Sequence, residues 1–385
     1  MTMKKLTAVL LAVCLAAACA LAGAESLRIS ALEKIGEMNV INTTEQRNIT
    51  PKEVGSNPVA EGVSPVTGLT LADYSGIPDG FLGLAVDGHY MPMFVQIDNG
   101  GGGAYKLKQW GLQWADIIYE TPLYRDGQTR LSALFADVLP DAVGPIRSAR
   151  VGHVWLASEW MGGFVHWGGQ TKDGSNINTE MRTVGITRGV NRFDGTDGGK
   201  KWSLCFGVRE RMGAPHDKTA NVAALSELVA PEAQQVDHAF RFADELPTSG
   251  DEGTVISITQ GLTYCDSELV YNADENVYYR YMVGSDGTRL LYQDPFTETP
   301  ITFSNVILQF TRVSYNGSPD APVMQTLGEG NADIFMGGRH IAGYWKHDEY
   351  LTRTVFYDEN GDEIALQRGK TLISVMDTSK QVLYR

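Results

Sequence analysis

The stretch VGPIRSAR at residues 143–150 constrains the fold of this chain more than any other segment. It lies between an apolar, strand-like run and a helix-like run, so Arg147 and Arg150 stand where a helix should begin. At a helix start, backbone N–H groups, the helix dipole and guanidinium groups can all face one anion. The stretch therefore predicts a strand, a turn and a helix, with an anion site at the turn.

Composition sets the outer limits on size and partners. The chain has 385 residues, of which 43% are hydrophobic and 20% charged, which allows two modest domains or one large one. Its formal charge of −14 argues against nucleic acid or an anionic lipid surface as the main partner. Acidity of this kind can serve solubility alone, but it makes the paired arginines stand out.

The first 24 residues have the pattern of an export signal. Lys4 and Lys5 precede an uncharged apolar run at 6–21, and the small residues 22–24 supply a cleavage point. We expect a soluble, secreted, extracytoplasmic form. The alternative is cleavage before Cys19, with acylation of that cysteine as a lipid anchor. No later segment reaches the ~20 apolar residues that a membrane span needs, so we predict no transmembrane helix in the mature chain.

Two cysteines, Cys205 and Cys265, remain after the signal is removed. In an exported protein they can form one disulfide, or they can be two buried thiols. The sequence leaves both alternatives open.

The remaining chain divides into three parts. Residues 25–65 are polar and proline-containing and are predicted to be a tether. Residues 66–246 are predicted to form an α/β domain on a layered mixed sheet, with strands at 94–97, 117–120, 131–138 and 164–167 and a helix at 151–160. The last two strands and the helix predict a right-handed βαβ unit. Residues 247–385 are predicted to form a β-rich domain, with eight short runs typical of strands and hairpin turns at DG 286–287 and NG 360–361.

Polar residues stand at the predicted strand ends and in the turn before the helix. These candidate ligand-binding residues are Asp98, Asn99, Arg147, Ser148, Arg150 and His166. If the strands run parallel, these residues converge on one crevice at the carboxyl edge of the sheet. A guanidinium suits a carboxylate or phosphate, and Ser148 is a candidate N-cap. Alternatively, the arginines pair with Asp98 or Glu120 and brace the loop.

Catalytic candidates are Asp98, His166 and His216, any of which could act as a general base. A strand histidine such as His166 is more often a hydrogen-bonded core residue. No HExxH motif and no ligand spacing of Cys or His indicates a metal, and no motif indicates a cofactor. Glu120 and Arg130 flank a hairpin loop and are predicted to form a salt bridge away from the Arg147 crevice.

Ten short sequence motifs, taken in order, resemble the pattern of the YerB-like family. The members of this family are exported or lipid-anchored Gram-positive bacterial proteins with no established function. The motifs are SPVTGL at 64–69, IDN at 97–99, ADIIYE at 115–120, TR at 129–130, VGPIRSAR at 143–150, HWGG at 166–169, APH at 214–216, YYR at 278–280, NVI at 305–307 and YWK at 344–346. The resemblance covers about residues 64–377 and implies a layered α/β domain followed by a β-rich one. The chain departs from the family at the four glycines 100–103 and at Asp217, where the family has asparagine.

Three functions are compatible with these patterns. The leading hypothesis is a cell-envelope protein that binds an anionic small ligand or an envelope glycan in a cleft of the N-terminal part. The second is a hydrolase that acts on a cell-wall glycan or phosphodiester, with Asp98 or His166 as general base. The third is a structural or scaffold protein whose β-rich part is the partner surface.

Overall fold

The computed structural model describes residues 38–41, 43–75, 90–99, 109–209, 213–233, 237–260, 265–284, 287–315 and 318–385. The predicted signal and Cys19, and the glycines 100–103, lie outside these ranges. Within them, the helices are α1 Val151–Ser158, α2 Ile177–Thr183, α3 Lys200–Cys205 and α4 Val222–Ser226, with 3-10 turns at Leu71–Tyr74 and Leu112–Trp114. None of the described helices is long and apolar enough to cross a membrane.

Strands dominate the regular structure. They are β1 Asn39–Val40, β2 Met93–Ile97, β3 Ile117–Pro122, β4 Thr129–Phe135, β5 Gly163–His166, β6 Arg192–Asp194, β7 Phe206–Val208, β8 Lys218–Ala220, β9 Phe242–Ala243, β10 Asp251–Glu252, β11 Val255–Thr259, β12 Ser267–Asn272, β13 Val277–Val283, β14 Arg289–Leu291, β15 Thr302–Phe303, β16 Asn305–Thr311, β17 Val313–Tyr315, β18 Pro322–Met324, β19 Gly328–Met336, β20 Arg339–His347, β21 Val355–Tyr357, β22 Leu366–Gln367, β23 Thr371–Asp377 and β24 Gln381–Tyr384. The fold is therefore mostly β, and the α/β class predicted from the sequence describes it only loosely.

One mixed sheet organises the molecule. Its strand order is β10-β20-β19-β16-β23-β3-β4-β2-β5-β6, with β21 on β20. The strands come from both sides of Pro247, because β23 pairs in parallel with β3. A second, antiparallel sheet has the order β1-β24-β11-β12-β13-β14, with β15 on β13. The β-rich character predicted for residues 247–385 is confirmed.

The four strands predicted at 94–97, 117–120, 131–138 and 164–167 are present as β2 to β5. The predicted βαβ unit is wrong. β4 runs antiparallel to β2, and β2 lies between β4 and β5. The parallel pair is β2 with β5, which places the ends of these two strands at the same edge of the sheet. Hydrophobic runs identify strands, but they do not give strand direction.

Both faces of the central strands are covered. Alternate residues of β4 belong to different clusters: Ala133 packs with the face covered by the second sheet and α4, whereas Leu134 packs with the face covered by α1. All seven residues of β4 are buried, as expected for a central strand without a solvent face. This alternation decides on which face each polar residue at the strand ends emerges.

The described part of the predicted tether is packed against the sheets. Strand β1 pairs with β24, the Arg47 guanidinium binds the Asp333 carboxylate, and the Asn57 side chain donates to two backbone carbonyls at residues 239 and 240. These contacts hold the described residues of this segment on the β-rich part and, through Asn57, on residues 239–240 of the preceding part.

Candidate functional site

The centre of the candidate site is the carboxylate of Asp98, at the end of β2. Its side chain is only 1% exposed. Oδ2 accepts a hydrogen bond from Arg147 Nε at 3.0 Å and from His216 Nδ1 at 2.6 Å. Oδ1 lies 3.7 Å from Nη2 of Arg130. One buried carboxylate thus holds two guanidinium groups and one imidazole.

Arg147 reaches Asp98 because the stretch before α1 returns alongside β2. The backbone N–H of Arg147 donates to Gln96 O at 2.9 Å, and the N–H of Asp98 donates to Pro145 O at 2.8 Å. The Arg147 carbonyl in turn accepts from the N–H of Trp167, just beyond β5. The predicted convergence of this stretch with the ends of β2 and β5 is therefore present, although it does not arise from a βαβ unit.

The turn residues Ser148 and Arg150 have other partners. The predicted N-cap role of Ser148 is wrong: Arg150 occupies the cap position, and its backbone N–H donates to His153 Nδ1 at 3.0 Å. The Ser148 hydroxyl donates to Trp167 O at 3.2 Å. Arg150 is buried, and its Nε donates to Asp320 O at 2.9 Å, which braces the loop before β18. Of the two arginines, Arg147 alone contacts Asp98.

His166 is a core histidine in this structure. Its side chain is fully buried, and Nδ1 lies 2.8 Å from Gly168 O. Because a carbonyl only accepts, Nδ1 carries the proton. Burial lowers the pKa of His166, and the nearby Asp194 carboxylate opposes that shift. Within the described residues, its Nε2 has no hydrogen-bond partner. His166 shares the sheet edge with Asp98 but bonds within its own loop.

Asn99 points to the opposite face of the sheet from Asp98. Its Nδ2 donates to Thr129 Oγ1 at 2.8 Å and to Glu120 Oε1 at 3.2 Å. Glu120 Oε2 accepts from Arg280 Nη2 at 2.5 Å, and both side chains of this ion pair are about 1% exposed. Asn99 is thus part of a buried network that connects β3 to β13 of the second sheet.

The predicted Glu120–Arg130 salt bridge is wrong. Glu120 faces Leu131 across the β3–β4 pair, and Arg130 faces Thr121, so the two charged side chains emerge on opposite faces. Arg130 instead donates to Ser148 O at 2.8 Å and lies beside Asp98. It belongs to the Arg147 site, contrary to the sequence prediction. Counting alternate residues along β2 and β4 would have placed Arg130 and Asp98 on one face.

The site carries an excess of positive charge. Burial lowers the pKa of Arg130 to about 9; Asp98 opposes this shift, while Arg150 and Arg147 lower the pKa further. Glu120 is paired with Arg280, so the counter-ion of both Arg130 and Arg147 is the single carboxylate of Asp98. An added anion would relieve this repulsion.

Two side chains of the site reach the surface. Arg147 is 28% exposed and His216 is 27% exposed. Asp98 uses only Nε of Arg147. The two Nη groups of Arg147 form no hydrogen bond with any residue in the described part of the chain. The neighbouring Lys218 bonds to Asp217 at 3.0 Å and lies 5.4 Å from the centre of the Trp167 ring. An aromatic face and a further cation therefore flank the site.

The two cysteines form no disulfide with each other. Cys265 accepts a hydrogen bond from the N–H of Thr129 at 3.4 Å, and burial raises the pKa of its thiol to about 12. It is a buried thiol at the edge of the Asn99 network. No group of three or more His, Cys, Asp or Glu side chains in the described ranges is arranged to hold a metal ion.

A mixed sheet built from both halves of the chain, with a buried aspartate that holds arginine and histidine, defines a β-rich protein with two sequence domains. The chain belongs to the DUF3048 family, described as proteins of unknown function: its N-terminal domain matches residues 83–235, and its C-terminal domain matches residues 255–373. The resemblance to YerB-like proteins is thereby confirmed.

The relatives agree with this assignment. The chain is 24% identical over 268 residues to a Bacillus subtilis (strain 168) protein named "Putative lipoprotein YerB". The matched residues cover 69% of this chain and 73% of that protein. The crystal structure of YerB from Bacillus subtilis matches with a TM-score of 0.63 and 21% identity, covering 84% of this chain and 99% of that one. At this identity the structural match shows the fold alone.

Proposed function

We propose that this protein is an extracytoplasmic, envelope-associated binding protein that holds an anionic or glycan-like ligand at Arg147 and His216. The observation that carries the proposal is their arrangement around Asp98. Asp98 orients one edge of each side chain, and each keeps more than a quarter of its side chain exposed. Pre-oriented donors lose little rotamer freedom when they bind a ligand.

The chemistry of the site favours an anion. The remaining edge of the Arg147 guanidinium can make paired hydrogen bonds to a carboxylate or a phosphate. The buried side chains of Arg130 and Arg150 add positive potential to the site. They lie close enough together for Arg150 to lower the pKa of Arg130. The Trp167 face beside Lys218 suits a sugar ring adjacent to such an anion.

An envelope location supports a ligand from the cell wall. The predicted export signal and the lipoprotein name of the Bacillus relative both favour it. The family resemblance implies a Gram-positive bacterium, and anionic polymers and glycans are abundant in the envelope of such bacteria.

Retention on purified wall fractions tests the proposal. The mature chain, incubated separately with peptidoglycan and with a teichoic-acid fraction, should be retained by one of them, and free phosphate should compete if the anion is a phosphate. Arg147→Ala should abolish retention, whereas Arg188→Ala, which removes an arginine whose side chain is 68% exposed, should not. Equal retention of both variants would exclude Arg147 as the anion contact.

The His216–Asp98 contact favours one second candidate, a hydrolase. Because the carboxylate only accepts, Nδ1 of His216 carries a proton, and Nε2 is left as the acceptor in the neutral ring. An aspartate that orients a histidine in this way is the usual support for a general base. Of the three general-base candidates predicted from the sequence, Asp98, His166 and His216, this proposal takes His216 as the base and Asp98 as the group that orients it.

Product release separates the two candidates. A hydrolase should release soluble sugar or phosphate from the retained fraction, and His216→Gln should lower that release at least about 100-fold while retention persists. A binding protein should be retained without release, and release that is unchanged in His216→Gln would exclude His216 as the base.

A further inference from the structure

A small cavity beside α1, lined by none of the residues that contact Asp98, has the composition of a carbohydrate site. Its volume is about 290 Å³, close to the lower end of small-molecule pockets. The residues that line it and enter the argument are Trp155, Arg312, Ser314, Gln325, Thr326 and Tyr350. The cavity lies where α1 packs on β18. Gly152 permits this close approach, because a Cβ there would lie 2.1 Å from Cε of Met324.

Two aromatic rings form one wall. Trp155 and Tyr350 have ring centres 6.4 Å apart and planes inclined by 30°. Seven of the eight residues of α1 are buried, and Trp155 is the exception. Its indole N–H donates to Glu180 Oε2 at 2.9 Å, which fixes the ring and satisfies its polar edge. The apolar faces of the two rings are thus held in place, and sugar rings stack on such faces through their C–H groups.

Arg312 supplies the charge. It is exposed, and its side chain makes no hydrogen bond or ion pair with any residue in the described ranges. No carboxylate is among the residues that line this cavity, so its single charged side chain is cationic in a chain of net charge −14. Charge complementarity therefore favours an anionic occupant.

A buried threonine hydroxyl is the next polar feature of this cavity. Thr326 lines the cavity, its side chain is almost fully buried, and its Oγ1 has no hydrogen-bond partner among the described residues. A buried hydroxyl without a partner is costly, and a hydroxyl-bearing ligand would supply one. Ser314 and Gln325 add two more polar side chains to the lining.

We infer that this cavity is a second binding site, which takes a single acidic sugar residue stacked on Trp155 and Tyr350, with its carboxylate or phosphate on Arg312. The site shares no residue with the Asp98 centre and does not depend on the function proposed there. The hydroxyls of the sugar would pair with Thr326, Ser314 and Gln325.

Calorimetric titration with D-glucuronic acid, D-glucose 6-phosphate, D-glucose and benzoate tests this inference on the mature chain. Saturable binding of at least one acidic sugar is expected, with neutral glucose and benzoate at least about tenfold weaker. Arg312→Ala should weaken the acidic sugar about tenfold and bring it close to glucose. Trp155→Ala should also weaken binding, and Trp155→Phe, which keeps a ring, should restore most of it.

Control variants separate this site from the Asp98 centre. Arg188→Ala, which lies outside both sites, should leave acidic-sugar binding unchanged, and melting temperatures should confirm that every variant is folded. The inference is overturned if no acidic sugar binds, if glucose or benzoate binds as well as the acidic sugar, or if Arg312→Ala has no effect. It is also overturned if Arg147→Ala alone removes the binding, since the acidic sugar would then occupy the Asp98 centre.

Discussion

At the scale of single residues, the buried aspartates Asp98 and Asp333 each bind one arginine and one histidine, but their surroundings differ. Asp333 binds Arg47 at 2.8 Å and His340 at 2.6 Å, much as Asp98 binds Arg147 and His216. His340, however, is buried and packs against the tilted ring of Tyr384, with ring centres 4.1 Å apart. The Nη groups of Arg47 are also occupied, by two backbone carbonyls and by Asp333 itself. The Asp333 group is therefore a brace within the β-rich part, whereas the Asp98 group has a partly exposed histidine and an arginine whose Nη groups are not used by Asp98.

Two neighbouring buried carboxyl groups, those of Asp116 and Asp137, should control the pH dependence of stability. Asp137 Oδ2 accepts from Thr67 Oγ1 and from Tyr74 OH, both at 2.6 Å. Asp116 accepts from the backbone N–H of residue 136 at 2.7 Å. Burial raises the pKa of Asp116 well above its usual value, and the neighbouring Asp137 raises it further. The folded protein therefore binds a proton that the unfolded chain has released.

The sign of the effect follows from this linkage. A raised folded-state pKa contributes stability that is complete below about pH 4 and is lost as the pH rises through the folded pKa. Asp116→Asn should flatten this dependence and should melt a few degrees above the wild type at pH 7. Melting curves at pH 5, 6 and 7 measure the slope. If the variant kept the wild-type slope, Asp116 would be ionised in the folded protein.

At the scale of elements, the buried Glu120–Arg280 pair joins the two sheets. Glu120 lies in β3 of the mixed sheet, and Arg280 lies in β13 of the second sheet. Glu120→Gln would leave the Arg280 guanidinium without its counter-ion in a dry interface, and we expect a loss of about 3–5 kcal/mol in the free energy of unfolding. Urea denaturation at pH 7 provides the measurement.

The double variant Glu120→Gln with Arg280→Met is the matched control. Removing both charges removes the penalty for an unpaired ion, so it should recover at least half of the lost stability. A loss below about 1 kcal/mol for Glu120→Gln alone would mean that water solvates Arg280 and that the pair contributes little.

The elements also show what the sequence could predict. The apolar runs located β2 to β5 and α1, because strands and helices that are buried on most sides leave such patterns. Strand direction was not accessible, so the βαβ unit was wrong while the convergence of Asp98 with Arg147 was right. The contact of Asp98 with His216, and the pairing of Glu120 with Arg280, depend on chain segments 118 and 160 residues apart, and no local pattern encodes such contacts.

At the scale of the whole molecule, the two sequence domains share one sheet. Strand β23 of the C-terminal domain is hydrogen-bonded between β16 and β3, so the central sheet of the N-terminal domain continues into the other domain. An exposed β3 edge would be a template for aggregation. The boundary near Pro247 therefore separates segments of sequence that need each other to complete a core.

Expression of the two halves tests this dependence. Residues 25–246 and 247–385 expressed separately should each lack a cooperative thermal transition, and together they should restore part of it. The intact chain should show one transition in which near-UV and far-UV circular dichroism coincide. A cooperative transition of residues 25–246 alone, at a temperature near that of the intact chain, would show that the N-terminal domain is complete without β23.

The central claim is that Arg147 holds an anion while Asp98 holds Arg147. The most direct measurement is the rise in melting temperature on adding the wall fraction that retains the protein, compared between the wild type and Arg147→Ala. The partly exposed ion pair stabilises by about 1 kcal/mol or less, so the unliganded variant should melt within a few degrees of the wild type and show no rise with ligand. A collapse of the unliganded melting temperature, or an undiminished rise with ligand, would contradict the claim.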